Sequence, residues 1–279
     1  MLEAVALLAA GVVFEAAPKP REVETVGTDY AFQIPSDLPP GPTTFRFNNN
    51  GKKSHELNIF LLKPGVTVTQ VVERQKAGKT TQDLVETPVG VLFAEPGQKS
   101  RARLLTDLVA GREYGVICIF KDTATAPRHY EMGMYTTIRV RRTKPASLAT
   151  MPRADSIVGV DYAFSRYPKT LAPGKHTFVF KNEGKFRHEV SMSLLKQGVT
   201  LARVVEVDKA GGNVDALFDG SVGVLWSRPG ETTLGRLDVD LLPGREYSID
   251  CSFSNDDKSP PHYTLGMYGS IVVSGKPGS

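Results

Sequence analysis

Four side chains occur twice in this chain in the same order: His55, Cys118, His129 and Met134, then His188, Cys251, His262 and Met267, each 133 residues after its counterpart. Both cysteines and four of the five histidines therefore stand at equivalent positions of an internal repeat. A duplication of this length divides the 279 residues into two units of roughly 130, each long enough to bury its own core without covalent staples. The division predicts an N-terminal segment 1–24, a first domain 25–142, a linker 143–156, a second domain 157–274 and a short tail 275–279. The linker is marked by Pro145, Pro152, alanines and serines without a sustained pattern.

With 41% hydrophobic and 23% charged residues the chain reads as globular rather than disordered or fibrous. The net charge of +4 is small. Its one basic run, Arg139, Arg141, Arg142 and Lys144, borders the linker with no recognition helix or nucleic-acid motif, so it reads as a solvated face and no nucleic-acid partner is expected. Equivalent cysteines of duplicated domains lie far apart, which predicts two separate thiols rather than a disulfide. The opening residues Met1 to Phe14 are largely apolar, and Ala16 and Ala17 stand where a cleavage point would fall. Glu3, however, occupies the place where an export signal is basic. A periplasmic or extracellular location, with no integral membrane segment in the mature chain, is the expectation.

Runs of β-forming residues recur in both halves. Thr44–Phe47 and Thr177–Phe180 read as strands, and Gly51 and Gly184 then turn the chain into strands opened by His55 and His188. Val68, Val71 and Val72, matched by Leu201, Val204 and Val205, follow the i, i+3, i+4 period of one short amphipathic helix per half, ending at Gly78 and Gly211. Further strands follow at Val89–Phe93, Leu104–Leu108, Tyr114–Phe120 and Tyr135–Val140, with counterparts at Val222–Trp226, Leu237–Leu241, Tyr247–Phe253 and Ile271–Val273. Many short strands divided by Gly and Pro turns predict an all-β chain with minor helix, folded as two Greek-key β-sandwiches in tandem.

Taken alone, either cysteine reads as a small buried hydrophobe on a strand. The accompanying residues change that weighting. Each cysteine is followed after eleven residues by a histidine and after five more by a methionine, as in His129-Tyr-Glu-Met-Gly-Met134 and His262-Tyr-Thr-Leu-Gly-Met267. Two imidazoles, a thiolate and a weak thioether are the donors that hold copper in electron-transfer centres.

Each half resembles the cupredoxin, or plastocyanin/azurin, family. The likeness rests on Asn50-Gly-Lys-Lys-Ser-His55 and Glu183-Gly-Lys-Phe-Arg-His188, on the strands Tyr114–Cys118 and Tyr247–Cys251, and on Pro127-Arg-His129 and Pro261-His262 with Gly133-Met134 and Gly266-Met267. The resemblance implies two cupredoxin-like domains and up to two copper ions per chain. His55, Cys118 and His129 would bind one ion strongly with Met134 as weak axial ligand, and His188, Cys251, His262 and Met267 would bind the other. It also implies a type 1-like electron-transfer role, a redox protein partner, and His129 or His262 as an exposed ring edge facing that partner. The chain departs from the family between cysteine and histidine, where the inserts Ile119–Arg128 and Ser252–Pro261 carry Lys121, Asp122, Asn255, Asp256, Asp257 and Lys258. Two readings stay open: a polar excursion that returns to a copper site, or a metal-free scaffold serving interaction or structure.

An oligomeric copper oxidoreductase is the enzymatic alternative. Such catalysis needs further His-rich sites, and the chain has no His-x-His pair; once the proposed ligands are assigned only His176 remains. A redox carrier rather than an autonomous enzyme is therefore expected. Asp29 and Asp161, each ahead of a repeated Tyr-Ala-Phe, read as strand-edge residues, Tyr130 and Tyr263 as packing residues, and Trp226 as core or edge.

Overall fold

The computed structural model of the chain describes residues 18–145 and 149–275. The apolar opening segment with Ala16 and Ala17, residues 146–148 of the expected linker and residues 276–279 of the tail lie outside the described residues. In the first half the strands are β1 (Arg21–Thr28), β2 (Ala31–Gln33), β3 (Asp37–Leu38), β4 (Gly41–Asn49), β5 (His55–Leu62), β6 (Val85–Ala94), β7 (Ala102–Leu108), β8 (Glu113–Ile117) and β9 (Tyr135–Val140). The second half repeats them as β10 (Asp155–Val160), β11 (Ala163–Arg166), β12 (Thr170–Leu171), β13 (Gly174–Asn182), β14 (His188–Leu195), β15 (Phe218–Ser227), β16 (Arg236–Leu241), β17 (Glu246–Asp250) and β18 (Tyr268–Val273). Helices α1 (Val68–Lys76) and α2 (Leu201–Lys209) form where the apolar period places them. Thr67 caps α1 by accepting from the Gln70 backbone N–H while the Gln70 side chain accepts from that of Thr67, and Thr200 caps α2 by accepting from Arg203.

The chain is mostly β with little helix, but it is not a pair of Greek-key cupredoxin-like sandwiches. The strand arrangement is solenoid-like. Stacked parallel bridges pair β1 with β4, Arg21 opposite Thr43 to Gly27 opposite Asn49, and β10 with β13, Asp155 opposite Phe178 to Gly159 opposite Asn182. Partners are thus 22 or 23 residues apart. Antiparallel ladders, with the parallel pairs β12–β18 and β3–β9 at the two ends of the second sheet, then carry two sheets through both halves, in the orders β11-β10-β13-β16-β7-β4-β1-β2 and β12-β18-β17-β14-β15-β6-β5-β8-β9-β3. The expectation failed because strand periodicity tells which side chains face a core and not which strand lies alongside.

The halves join through β7 and β16, Ala102–Leu105 against Val239–Arg236, and through Val91 of β6 opposite Val224 of β15. One continuous core contains Phe45 and Phe47 from β4 together with Phe178 and Phe180 from β13, and Leu57 and Ile59 with Val190 and Met192. Arg103 crosses the junction to Asp238 at 2.7 Å and Asp240 at 2.8 Å, and Arg228 donates across it to the backbone carbonyls of Val85 and Glu86. Val68, Val71 and Val72 seat α1 on Phe60, Leu62 and Ile117 in a satellite cluster. Among the described residues no helix is long and apolar enough to cross a membrane.

Two buried tyrosines close the strand turns that lead toward the cysteines. The hydroxyl of Tyr114 accepts from the Val109 N–H at 3.1 Å, and that of Tyr247 from Leu242 at 3.0 Å. Tyr114→Phe keeps the ring packing and removes the acceptor, so urea denaturation is expected to show a loss of about 1 kcal/mol; an unchanged midpoint would count against this role for the hydroxyl.

Candidate metal centres

His55 opens β5 immediately after a turn that the preceding strand holds in place. Buried Asn49, last residue of β4, donates from its side-chain amide to the carbonyls of Lys53 at 2.6 Å and Ala94 at 2.9 Å, and its Oδ1 accepts from the Gly51 N–H. Asn182 does the same for Phe186, Ser227 and Gly184 in the second half. Asp29 Oδ1 accepts from the backbone N–H of Lys52 and faces His55 Nε2, as Asp161 Oδ1 does with Lys185 and His188. These contacts leave no room for a side chain on the turn: a Cβ on Gly51 would overlap Asp29 Oδ1 and approach His55 Nε2 to 2.9 Å, and one on Gly184 would overlap Asp161 and approach His188 to 2.8 Å. Gly184→Ala is expected to displace this imidazole support and weaken metal binding in the second half about ten-fold or more. Chelator competition, with the first half as internal reference, measures it; equal affinities would contradict the role given to the turn.

Cys118 follows the last residue of β8 and is tied to the next elements through its backbone. Its N–H donates to Met134 O at 3.1 Å and its carbonyl accepts from the Tyr130 N–H at 2.9 Å. His129 starts a one-turn helix, His129–Met132, that ends at Gly133 in the left-handed conformation, φ 105°. The second half repeats this with Cys251, His262, Gly266 and Met267. Both methionines are fully buried, with their Cε atoms toward Gly27 and Gly159 of β1 and β10.

The structure gathers the three stronger donors of each set at one point. His55 Nδ1 and His129 Nδ1 are 3.0 Å apart, with Cys118 Sγ 3.4 Å from the latter and 4.0 Å from the former. In the second half His188 Nδ1 and His262 Nδ1 are again 3.0 Å apart, and Cys251 Sγ stands 3.4 and 3.8 Å from them. All six residues are buried, so the chain contains two distinct His/Cys metal-binding sites, enough for up to two copper ions. An ion about 2.0 Å from each nitrogen and about 2.3 Å from sulfur separates its donors by about 3–4 Å, the separation present here.

Hydrogen bonding explains why a cation suits each triangle. The Nε2 atoms face oxygens: His55 to Asp29 at 3.4 Å, His129 to Asp122 at 3.2 Å, His188 to Asp161 at 3.0 Å and His262 to Asn255 at 2.9 Å. Asn255 presents oxygen to the histidine because its Nδ2 donates to Tyr162 Oη at 2.8 Å. An imidazole that donates from Nε2 carries a lone pair on Nδ1, so in each half two lone pairs and a sulfur converge with no proton between the nitrogens. A bound cation satisfies all three. The same arrangement, a ligand histidine whose other ring nitrogen donates to an oxygen, recurs in metal proteins.

The inserts between cysteine and histidine bring in Asp122 and Asn255. Asp122 also accepts from Tyr30 Oη at 3.0 Å, and Tyr30 and Tyr162 set their rings edge-on to His129 and His262 with centroids 5.1 Å apart. Among the described residues these two tyrosines are the non-glycine residues in the left-handed region, both at φ 66°. That backbone costs a β-carbon residue about 1–2 kcal/mol, and it turns each ring over the site. Asp29 and Asp161 are therefore histidine supports and not strand-edge residues alone. The repeated Asp-Tyr-Ala-Phe was the available signal for both roles.

Other expectations divide. His129 and His262 do not offer an exposed ring edge, because the tyrosines cover them and both are buried. Tyr130 packs in the α1 cluster, and Trp226 lies edge-on to Phe253, with the Arg187 guanidinium 5.5 Å from the Trp226 ring and 4.1 Å from that of Phe253. Burial pushes each cysteine thiol up to about 12, with the Glu56 and Glu189 charges acting in the same direction, while the backbone N–H of those two residues donates to sulfur at 3.4 Å. A metal entering either site must displace that proton. Burial, with the neighbouring imidazole, lowers His55 and His262, which favours the neutral rings that ligation needs. Each centre is an enclosed His-Cys-His set, resembling electron-transfer centres rather than catalytic clusters.

No established family profile matches the sequence, and no curated protein matches it. Among solved structures, the dithionite-reduced auracyanin of Roseiflexus castenholzii is 21% identical over 43% of this chain and 94% of that chain, with a TM-score of 0.30. Auracyanin A, a blue copper protein of Chloroflexus aurantiacus, is 17% identical over 44% and 99%, also at 0.30. The copper nitrite reductase of Nitrosomonas europaea is 13% identical over 91% of this chain and 93% of that chain, at 0.25. At such scores function has to be read from the donor atoms.

Proposed function

We propose that the chain is a copper-binding electron-transfer protein with one mononuclear, type 1-like centre in each half. The observation that carries this reading is the pair of imidazole Nδ1 atoms 3.0 Å apart beside a cysteine sulfur, with both Nε2 atoms engaged by oxygens, found in each half. Soft sulfur with two imidazoles selects copper and suits both of its oxidation states in a near-trigonal geometry. His55, Cys118 and His129 hold the first ion, and His188, Cys251 and His262 the second. Met134 and Met267 are assigned as weak axial donors. The buried, doubly supported histidines limit rearrangement on electron transfer, and a redox protein is the partner this role requires. A periplasmic or extracellular location goes with it.

Reconstitution of the reduced protein with Cu(II) tests the reading. An intense visible thiolate-to-copper band and two copper ions per chain are expected; folded, reduced protein that takes up no copper would overturn it.

A further inference from the structure

The two centres repeat each other closely, and they differ in the group that faces the far ring nitrogen of the second histidine. In the first half His129 Nε2 faces a carboxylate, Asp122, at 3.2 Å; in the second His262 Nε2 faces a neutral amide, Asn255, at 2.9 Å. The amide orientation is fixed by Tyr162, and the carboxylate is held by Tyr30 in the same place. Resting on the copper reading above, we propose that Asp122 and Asn255 set the two centres at unequal reduction potentials, the first-half centre lower and the second-half centre higher. In protein that has taken one electron from an external one-electron donor, the first half then holds Cu(II) and the second Cu(I).

The physical ground is the charge seen by the metal. A carboxylate accepting from the far ring nitrogen makes an imidazole a stronger donor, and its negative charge favours the more positive metal state. Both effects stabilise Cu(II) at the first centre. An amide accepts the same hydrogen bond without the charge. The remaining supports are the same in kind: His55 faces Asp29 at 3.4 Å and His188 faces Asp161 at 3.0 Å, the closer contact acting against the ordering, and each cysteine sulfur accepts a backbone N–H at 3.4 Å.

The surroundings differ too. Lys53 pairs with Asp122 at 3.5 Å and offsets part of its charge from an exposed position. At the equivalent place in the second half Phe186 stacks on Tyr162. The next residue, Ser54 in the first half, is Arg187 in the second. It directly precedes His188, and its guanidinium lies 4.1 Å over the Phe253 ring. A cation on this side of the second centre favours Cu(I), in the same sense as the amide. Asp250, where the first half has Ile117, acts against this ordering.

The positioning residues are tested by potential and not by activity. Cys251→Ser leaves only the first centre and Cys118→Ser only the second, so redox titration of the thiolate band gives each potential separately. The first is expected to lie below the second. Asp122→Asn in the first background should raise its potential, Asn255→Asp in the second should lower it, and the two exchanges together should shrink or invert the gap. Tyr30→Phe, which keeps the carboxylate and removes one of its hydrogen bonds, should leave the order intact. Equal potentials, the opposite order, or an order indifferent to both exchanges would overturn the proposal with copper binding intact. Variants that fold but bind no copper would overturn the copper reading and this proposal with it.

Discussion

Cys118→Ser is expected to abolish the thiolate-to-copper absorption of the first half and leave that of the second, so the band falls to about half and the metal count from two towards one. A serine hydroxyl stays neutral and hard where copper needs a soft, covalent thiolate. Cys251→Ser should do the converse. The two triads share no ligand, since His55 and His129 stand with Cys118 and His188 and His262 with Cys251. The cysteines are free and buried in separate clusters, so no disulfide links the two losses. Absorption and metal analysis on the same samples measure the effect; loss of both bands from one substitution would contradict two self-contained centres.

Gly235→Ala is expected to damage the junction between the halves. A Cβ there would overlap the carbonyl oxygen of Val89 and lie 2.9 Å from its side chain, and the obstacle is backbone of the other half that cannot rotate away. Gly235 immediately precedes β16, whose ladder with β7 joins the halves in one sheet, while Val89 lies on β6, which joins them in the other. Overpacking at such a point costs about 3 kcal/mol. Because one core runs through both halves, the loss should register in both. Urea denaturation followed by Trp226 fluorescence and by far-ultraviolet circular dichroism should shift together to lower midpoints. An unchanged midpoint, or a shift confined to one probe, would count against a shared core.

The two His-Cys-His clusters were legible in the sequence because donor chemistry depends on residue type and duplication fixes which residues correspond. The helices were legible too, since Val68, Val71 and Val72 need only a local period to find a face. Sheet organisation was not. The pairing of β1 with β4 is parallel, and that of β7 with β16 joins the halves; neither leaves a mark in the alternation of a single strand. The supports of the histidines were hidden for a related reason. Asp29 reaches His55 across 26 residues, and Asp122 reaches His129 only because the inserted loop doubles back. Composition shows these loops as polar and does not show that one polar side chain on each returns to the site. The insert that set the chain apart from its resemblance is what supplies the carboxylate in one half and the amide in the other.

Anomalous diffraction at the copper edge, from crystals of the reconstituted protein, tests the central claim most directly. Two peaks are expected, one about 2.0 Å from Nδ1 of His55 and His129 and about 2.3 Å from Cys118 Sγ, the other placed likewise among His188, His262 and Cys251. No peak inside either triad, or copper held only through Nε2 atoms and surface carboxylates, would contradict it.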